Sequence, residues 1–505
     1  GENRDAIPAP ASRLFPAFDT EKIKLMHRGS GVELPPSPQL LPQKRLEMIT
    51  NFLRNIQIVR FGDAVLDLDL DAISEKQQYY IPPPLLFGKS YVLRYGEISS
   101  YKHADNPERL VSDWIKAKIP ALQQHGVYSC PALPRFYLWT PSNWQRQLRD
   151  KVKDFMNSEI KRQCKDKHFN FIPRVYGGSD ELLRGLKRTE SENALNLIGL
   201  PNNIPQGTYA RIKQIRTVKT QCFSENTAQR IHEASFRRNL ALAALIDAGV
   251  KPWVLESDLN YDVYVGIDVL QNRSAFHFFW GDSARNMRFW PGHSVSQARR
   301  QEAIKARHLN KSLIEGLNHI FSEMGKPIQS ITIHRDGRWW PSEQDGLDNA
   351  VKTLTRAGVL AEDLKLAVVE IRKTHLPVRL LMRRFDRGSP FFANPVPGVY
   401  RIINKDQMLM VTTWNPVHPD AEYGRTSGSI LLNVAYSSPI HDIKEIGEDV
   451  YSLTQLNWSA PGIEINVPVT IRWADHRLRE TLLKTVEAED DDTEFEEDES
   501  DVEED

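Results

Sequence analysis

The chain has 505 residues, 40% of them apolar and 9% aromatic, which bounds it at about two to four domains with a sizeable core. No run approaches the roughly 18 consecutive apolar residues of a membrane-spanning helix, and the opening GENRDAIPAPASRL lacks the apolar centre of a secretory leader, so a cytoplasmic protein without a membrane partner is expected. Three cysteines, Cys130, Cys164 and Cys222, are too few and too scattered for a disulfide framework or a zinc site.

The formal net charge of −1 conceals an uneven distribution. Residues 487–505 hold 14 Asp and Glu and no Lys or Arg, so the rest of the chain carries +13. A body that basic suits polyanions, because neutralising phosphates releases their counterions. Solvated surface lysines beside an acidic, solubilising tail account for the same numbers.

Taken in chain order, residues 1–40 are rich in Pro and Ser with little periodicity and read as an extended arm. Residues 44–58 (KRLEMITNFLRNIQI) have helical spacing of apolar positions. YIPPP at 80–84 breaks any helix and marks a boundary. Strands are then expected at 135–139, 168–176 and 194–200, alternating with helices at 143–162, 180–187 and 225–248. A second alternation begins with a strand at 264–269. It continues through a long helix at 299–324 to strands at 330–334, 365–371, 379–382, 407–413 and 430–435. Helices at 446–455 and from about residue 473 close it. Alternating strands and helices predict an α/β fold with open, partly parallel sheets. The domain plan is an N-terminal arm over 1–80, α/β domains over 81–255 and 256–486, and an acidic, disordered tail over 487–505.

Four acids stand out by context. Asp268 lies in YVGIDV, on an apolar strand where a charge is costly unless paired or bound to a metal. Asp336 ends the apolar strand of SITIHRDGRWW. Glu302 is placed at the start of the long helix, 34 residues after Asp268 and 34 before Asp336. Asp475 lies in VPVTIRWADHRL near the start of the last helix. Such a set is what a two-metal phosphodiester hydrolase needs: one ion lowers the pKa of the attacking water and the other stabilises the leaving oxygen. Each acid alone has a simpler account, as a turn or cap residue or as a partner of a helix dipole.

Several segments, in this order, resemble the Argonaute family. YVGIDV resembles the first strand of its PIWI domain, RRQEAIKARHLNKSLIEGL the helix with the mobile catalytic Glu, and ITIHRDGRW the strand ending in the third acid. VVEIRKTHLPVRLL, PVPGVY and VTTW resemble the strands that follow, and YSLTQLNWS with NVPVTIRWADHRL resembles the closing pattern. Upstream, TYARIKQIRTVKTQCF resembles the MID-domain signature Y-x-x-x-K…T-Q-C. NLALAALIDAGVKPWVL resembles the helix ending in K-L-G-G-x-P-W. The resemblance covers roughly residues 80–483.

It implies a MID domain with a Rossmann-like open sheet, followed by a PIWI domain with an RNase H-like fold. It also implies a catalytic tetrad of Asp268, Glu302, Asp336 and Asp475, with Mg²⁺ or Mn²⁺ held by Asp268, Asp336 and Asp475. Tyr209 would stack on the first guide base, while Lys213 and Gln221 would hold the guide 5′-phosphate. One departure stands out: Asp247 occupies a place where a phosphate-binding Lys is common, with Ala243 a turn earlier and Lys251 the nearest substitute.

No PAZ domain fits before residue 80, so the chain resembles the compact MID–PIWI Argonautes of prokaryotes. Those usually lack the tetrad and pair with an effector protein. The implied partners are a guide nucleic acid (RNA or DNA), a complementary target strand, and an effector or N/PAZ-like subunit. The implied activity is guide-directed endonucleolytic cleavage in host defence. The alternative is a guide-directed sensor that switches on a partner without cutting. A further expectation is that the acidic tail mimics nucleic acid and occupies the basic channel.

Overall fold

The computed structural model describes residues 41–482, except 56–58, 62–63, 67–77, 100–106, 132–134, 166–168, 170, 193, 204–206, 216–217, 271–272, 282–287, 293–294, 297–301, 374–378, 387–388, 414–426 and 463. The expected N-terminal arm over residues 1–40 and the acidic tail lie outside the described residues. The chain divides into two compact units. The smaller comprises Gly1–Leu70, Arg383–Ala393 and Val417–Thr426. Its described part includes the helix Pro42–Asn55, close to the helix expected at 44–58, and the hairpin Val59–Phe61 with Ala64–Leu66. Gln43 Oε1 accepts the Phe392 amide at 3.1 Å, tying this helix to the strand Ser389–Ala393.

The larger unit holds two sheets that matter for function. Its first part runs α1 (Pro107–His125), β1 (Arg135–Pro141), α2 (Arg146–Gln163), β2 (Phe171–Tyr176), α3 (Ser179–Arg188), β3 (Ala194–Leu200), α4 (Thr208–Gln214), β4 (Lys219–Ser224) and α5 (Ala234–Asp247). The four strands form an all-parallel sheet in the order β2-β1-β3-β4. Central β1 and β3 are apolar and almost wholly buried, as parallel strands covered on both faces must be. Edge strand β2 accommodates Pro173, which has no amide to donate. The single helix expected at 225–248 is broken: a short helix, Glu225–Gln229, is capped by Ser224, and α5 starts only at Ala234. The break turns Ile231 fully into the core.

The second part runs β5 (Val263–Leu270), β6 (Arg273–Trp280), β7 (Arg288–Pro291), α6 (Ala306–Met324), β8 (Ile328–Asp336), α7 (Pro341–Arg356), β9 (Leu360–Arg372), β10 (Val399–Asn404), β11 (Gln407–Met410), β12 (Ile430–Ser438), α8 (Ile443–Thr454) and α9 (Val469–Leu482). The sheet order is β7-β6-β5-β8-β9-β12-β11-β10, with Gln78–Tyr79 beyond β10 and Val295–Ser296 paired to β6. Only the β5–β8 and β8–β9 pairs are parallel, which makes the sheet mixed. One face packs Val265, Ile267, Ile333 and Val368 against α6 and α7. The other packs Tyr264, Val369 and Ile371 against α8 and α9.

Gly266 decides how close α9 comes. A Cβ there would fall 2.2 Å from the Thr470 carbonyl oxygen, so a bare backbone is required where the helix crosses β5. Helices α1 and α7 and strand β6 are not among the elements expected from sequence. In α7 (PSEQDGLDNAVKTLTR) the apolar stripe is sparse, and tertiary packing completes it: Gly346 sits so close to the Ala306 backbone that a Cβ would be 2.6 Å from that carbonyl.

Candidate functional site

The parallel register places Gly266 opposite His334 and Ile267 opposite Arg335. The next residues along, Asp268 and Asp336, therefore lie side by side towards the ends of neighbouring strands on one face of the sheet, the face that α9 covers. Register Asp336↔Ile371 carries the row on to β9, two residues before Lys373. Alternation puts Ile371 and Lys373 on this same face. The seventh residue of α9 is Asp475, and that helix begins at Val469, four residues earlier than expected. His334 lies beneath the acids, its Nδ1 bonded to Thr470 Oγ1 at 2.9 Å. Burial drives its pKa down to about 3, so it stays neutral and adds no positive charge there.

Three acids of the expected tetrad thus share one electrostatic neighbourhood. Asp268 is 6% exposed. Its pKa is pushed up to about 7, first by burial and then by the charge of Asp336, with Asp475 adding to the rise and Lys373 opposing it. The Val269 amide donates to Asp268 Oδ1 at 2.8 Å. The Lys373 ammonium meets Asp336 Oδ2 at 2.5 Å, and Arg479 Nε meets Asp475 Oδ1 at 2.9 Å. Among the described residues no group of three His, Cys, Asp or Glu side chains is arranged to hold a metal ion. Asp336 and Asp475 are each paired with a cation of the chain itself.

Glu302 stands apart. It does not begin the long helix, which starts four residues later at Ala306, and its side chain is exposed. Only its backbone is fixed. Arg335 Nη2 donates to the Glu302 carbonyl at 2.6 Å, and Glu343 Oε1 accepts the Ile304 amide at 3.0 Å. Arg335 and Glu343 are themselves a buried pair at 3.2 Å on the opposite face of β8. Burial pushes the Glu343 carboxyl up, while Arg335 and two backbone amides pull it down.

The residues expected at a guide 5′ end lie on α4 and β4. Tyr209 and Lys213, four apart on α4, face the same way, with the ammonium 5.9 Å from the ring centroid. Lys213 also donates to the Thr220 carbonyl at 2.8 Å, next to Gln221. Gln221 lines a cavity of about 370 Å³ together with Ala243 and Asp247 of α5, Trp458, and Arg472 and His476 of α9. Tyr209, Lys213 and Lys251 are not among its lining residues. Arg472 and His476, spaced by four, face the cavity, while Asp475 of the same helix stands with the acids. One helix therefore serves both places.

Lys373, Arg479, the Arg335–Glu343 pair and the cavity residues Arg472 and His476 are absent from the expectations drawn from sequence. Two of these had a visible signal. Arg479 follows Asp475 by four, the spacing of a helix ion pair. Lys373 follows its apolar strand LAVVEIR much as Asp336 ends SITIHRD. The others become visible only when strands are set side by side.

No protein-family model matches the chain, and no curated protein matches it. Among solved structures, a Clostridium butyricum Argonaute bound to a guide DNA and a 19-mer target DNA is similar over 88% of this chain, with a TM-score of 0.64 and 14% identity. The chain spans 59% of the length of that protein. At this identity the likeness is one of fold, and the chain has an Argonaute-like fold of mixed sheets and helices.

Proposed function

We propose that the chain holds a guide nucleic acid and cuts a complementary strand at the end of the β5–β8–β9 sheet. On this reading residues 81–255 are a MID domain with a Rossmann-like sheet, and 256–486 a PIWI domain of RNase H-like fold. The convergence of Asp268, Asp336 and Asp475 from two strands and a helix carries the proposal. A fold similar to an Argonaute that binds guide and target DNA supports it.

The donor set suits Mg²⁺ or Mn²⁺, since every donor is a carboxylate oxygen. Asp268 is buried beside Asp336, and the Lys373 charge offsets only part of what disfavours its ionised form. Asp268 and Asp336 would hold the ion, with Asp475 joining when Arg479 releases it. A bound divalent cation would supply charge stabilisation at the phosphate being cut. Gly266 sets the approach of α9, and Arg335 and Glu343 fix the backbone from which Glu302 reaches outward. Gln221, with Tyr209 and Lys213 behind it, would bind the guide 5′ end, and the +13 body would hold the duplex backbone.

The test is cleavage of labelled complementary RNA or DNA by chain loaded with RNA or DNA guides, with Mg²⁺ or Mn²⁺. A single cut at a fixed distance from the guide 5′ end, lost in Asp336→Ala, is the expected result. Guide-dependent binding without any cut would favour a sensor that activates a partner protein. The chain cations on Asp336 and Asp475, and the exposed Glu302, favour that second reading. With either reading we propose a role in host defence and an effector or N/PAZ-like subunit as partner.

A further inference from the structure

Lys373 follows the last residue of β9, and its ammonium sits on Asp336 at 2.5 Å. The pair is long-range in sequence, unlike Arg479–Asp475, which is one turn of α9. It is also partly open to solvent: the Lys373 side chain is 28% exposed and that of Asp336 13%. Lys373 acts on Asp268 as well, offsetting part of the effect of Asp336 there. The Asp268–Asp336 pair therefore already has one positive charge of the chain in place. A divalent cation arriving at Asp336 meets a like charge at the oxygen it needs. An ammonium on a flexible four-carbon stem can leave, provided another anion receives it, and a nucleic acid running over this end of the sheet carries such anions.

We propose that Lys373 is a displaceable counter-ion that couples metal binding to nucleic-acid binding. Its ammonium holds Asp336 until a strand phosphate takes it, and Asp336 is then free for a divalent cation. The metal and the strand thus bind cooperatively, and a chain without a strand holds metal weakly. This rests on the reading of Asp268 and Asp336 as metal ligands.

The experiment measures Mn²⁺ binding to the full chain from the electron paramagnetic resonance of free Mn²⁺. It is done with and without a short single-stranded oligodeoxythymidine and no guide. An Asp268→Asn/Asp336→Asn double variant gives the baseline for Mn²⁺ bound elsewhere, including on residues 487–505. In the wild type the oligonucleotide is expected to tighten Mn²⁺ binding about tenfold, within the usual range of coupling between sites. Lys373→Met is expected to bind Mn²⁺ about that much more tightly without the oligonucleotide and to gain nothing from it. Lys373→Gln repeats the test with a polar side chain. Lys365→Met, which removes a cation from the same strand but away from the acids, should match the wild type. Equal binding by wild type and Lys373→Met, or equal tightening of both by the oligonucleotide, would overturn the inference and leave the metal site standing. No difference between wild type and the double variant would overturn the metal site itself, and the inference with it.

Discussion

Two buried carboxylates lie along one face of strand β5, Asp449 of α8 near its start and the strand's own Asp268 towards its end, and the two are treated differently. Near the start of β5, Tyr264 donates to Asp449 Oδ2 at 2.5 Å, and the amide and side chain of Asn260 add bonds at 2.9 to 3.2 Å. About 13 Å further along, at roughly 3.3 Å per residue, Asp268 faces Asp336 and Asp475, with Lys373 and Arg479 on their outer sides. Both Asp449 and Asp268 are pushed up by burial, to about 6 and about 7. At Asp449 the Tyr264 and Asn260 bonds offset that push and the charge of Glu448 adds least to it, whereas at Asp268 the charge of Asp336 is the second-largest cause of the rise. A carboxylate kept for structure is surrounded by neutral donors that stay in place. One poised for a cation is crowded by other acids and held by charges that can leave. The same contrast crosses β8, where Asp336 on one face looks to Lys373 and Arg335 on the other is buried with Glu343.

This contrast can be broken from either side. The largest effect is expected for Asp336→Ala, which should reduce guided cleavage by about a thousandfold, the several kcal/mol that a metal ion supplies. Its urea-unfolding midpoint should stay near that of the wild type; a collapse of stability would make Asp336 a structural acid like Asp449. Arg335→Leu should show the opposite pattern in denaturation, costing about 3–5 kcal/mol by leaving Glu343 buried without its counter-charge.

Tyr264→Phe removes one hydrogen bond to a buried carboxylate and should cost about 1.5–3 kcal/mol by chemical denaturation. The pH dependence sharpens this. Asp449 holds its proton more tightly folded than unfolded, so its contribution is present at low pH and is lost as pH rises from 3.8 through about 6. The unfolding free energy of the wild type, relative to Asp449→Asn, should therefore fall across that window and level off above it. A difference that rises with pH would mean the hydrogen bonds outweigh burial. The smallest effect is expected at the cavity. Asp247→Lys should tighten binding of a 5′-phosphorylated oligonucleotide about threefold to tenfold over its 5′-hydroxyl twin, as a cation replaces an acid near the phosphate. Equal binding of the twins, measured by fluorescence anisotropy, would place the guide end elsewhere.

Much of the site was legible along the chain because its parts are local. An apolar strand interrupted by one acid, as in YVGIDV and SITIHRD, announces a charge that needs a reason, and both strands form where expected. Strand β3 matches its expected bounds residue for residue, since a buried parallel strand is a continuous apolar run. The end of the long helix at Met324 was legible too, with Gly325 in the left-handed conformation closing it. Its start was not. ARRQEAIKA has good helix formers throughout, yet Arg335 and Glu343 hold residues 302–304 in a non-helical path. Glu302 is displaced by partners 33 and more residues away.

The sequence by itself determined the alternation of strands and helices, the basic body beside an acidic end, and which strands carry an acid among apolar neighbours, because propensity, patterning and charge are properties of short segments. Beyond the one-turn pair Asp475–Arg479, tertiary structure alone decided which charges meet. The register of β5, β8 and β9 brings Asp268 beside Asp336 and Lys373 within reach of both. Gly266 lets α9 close over them, and the same helix lends Arg472 and His476 to the cavity beside Gln221. Electrostatic energy depends on distance in space and on burial, and beyond one helical turn neither can be read from spacing along the chain.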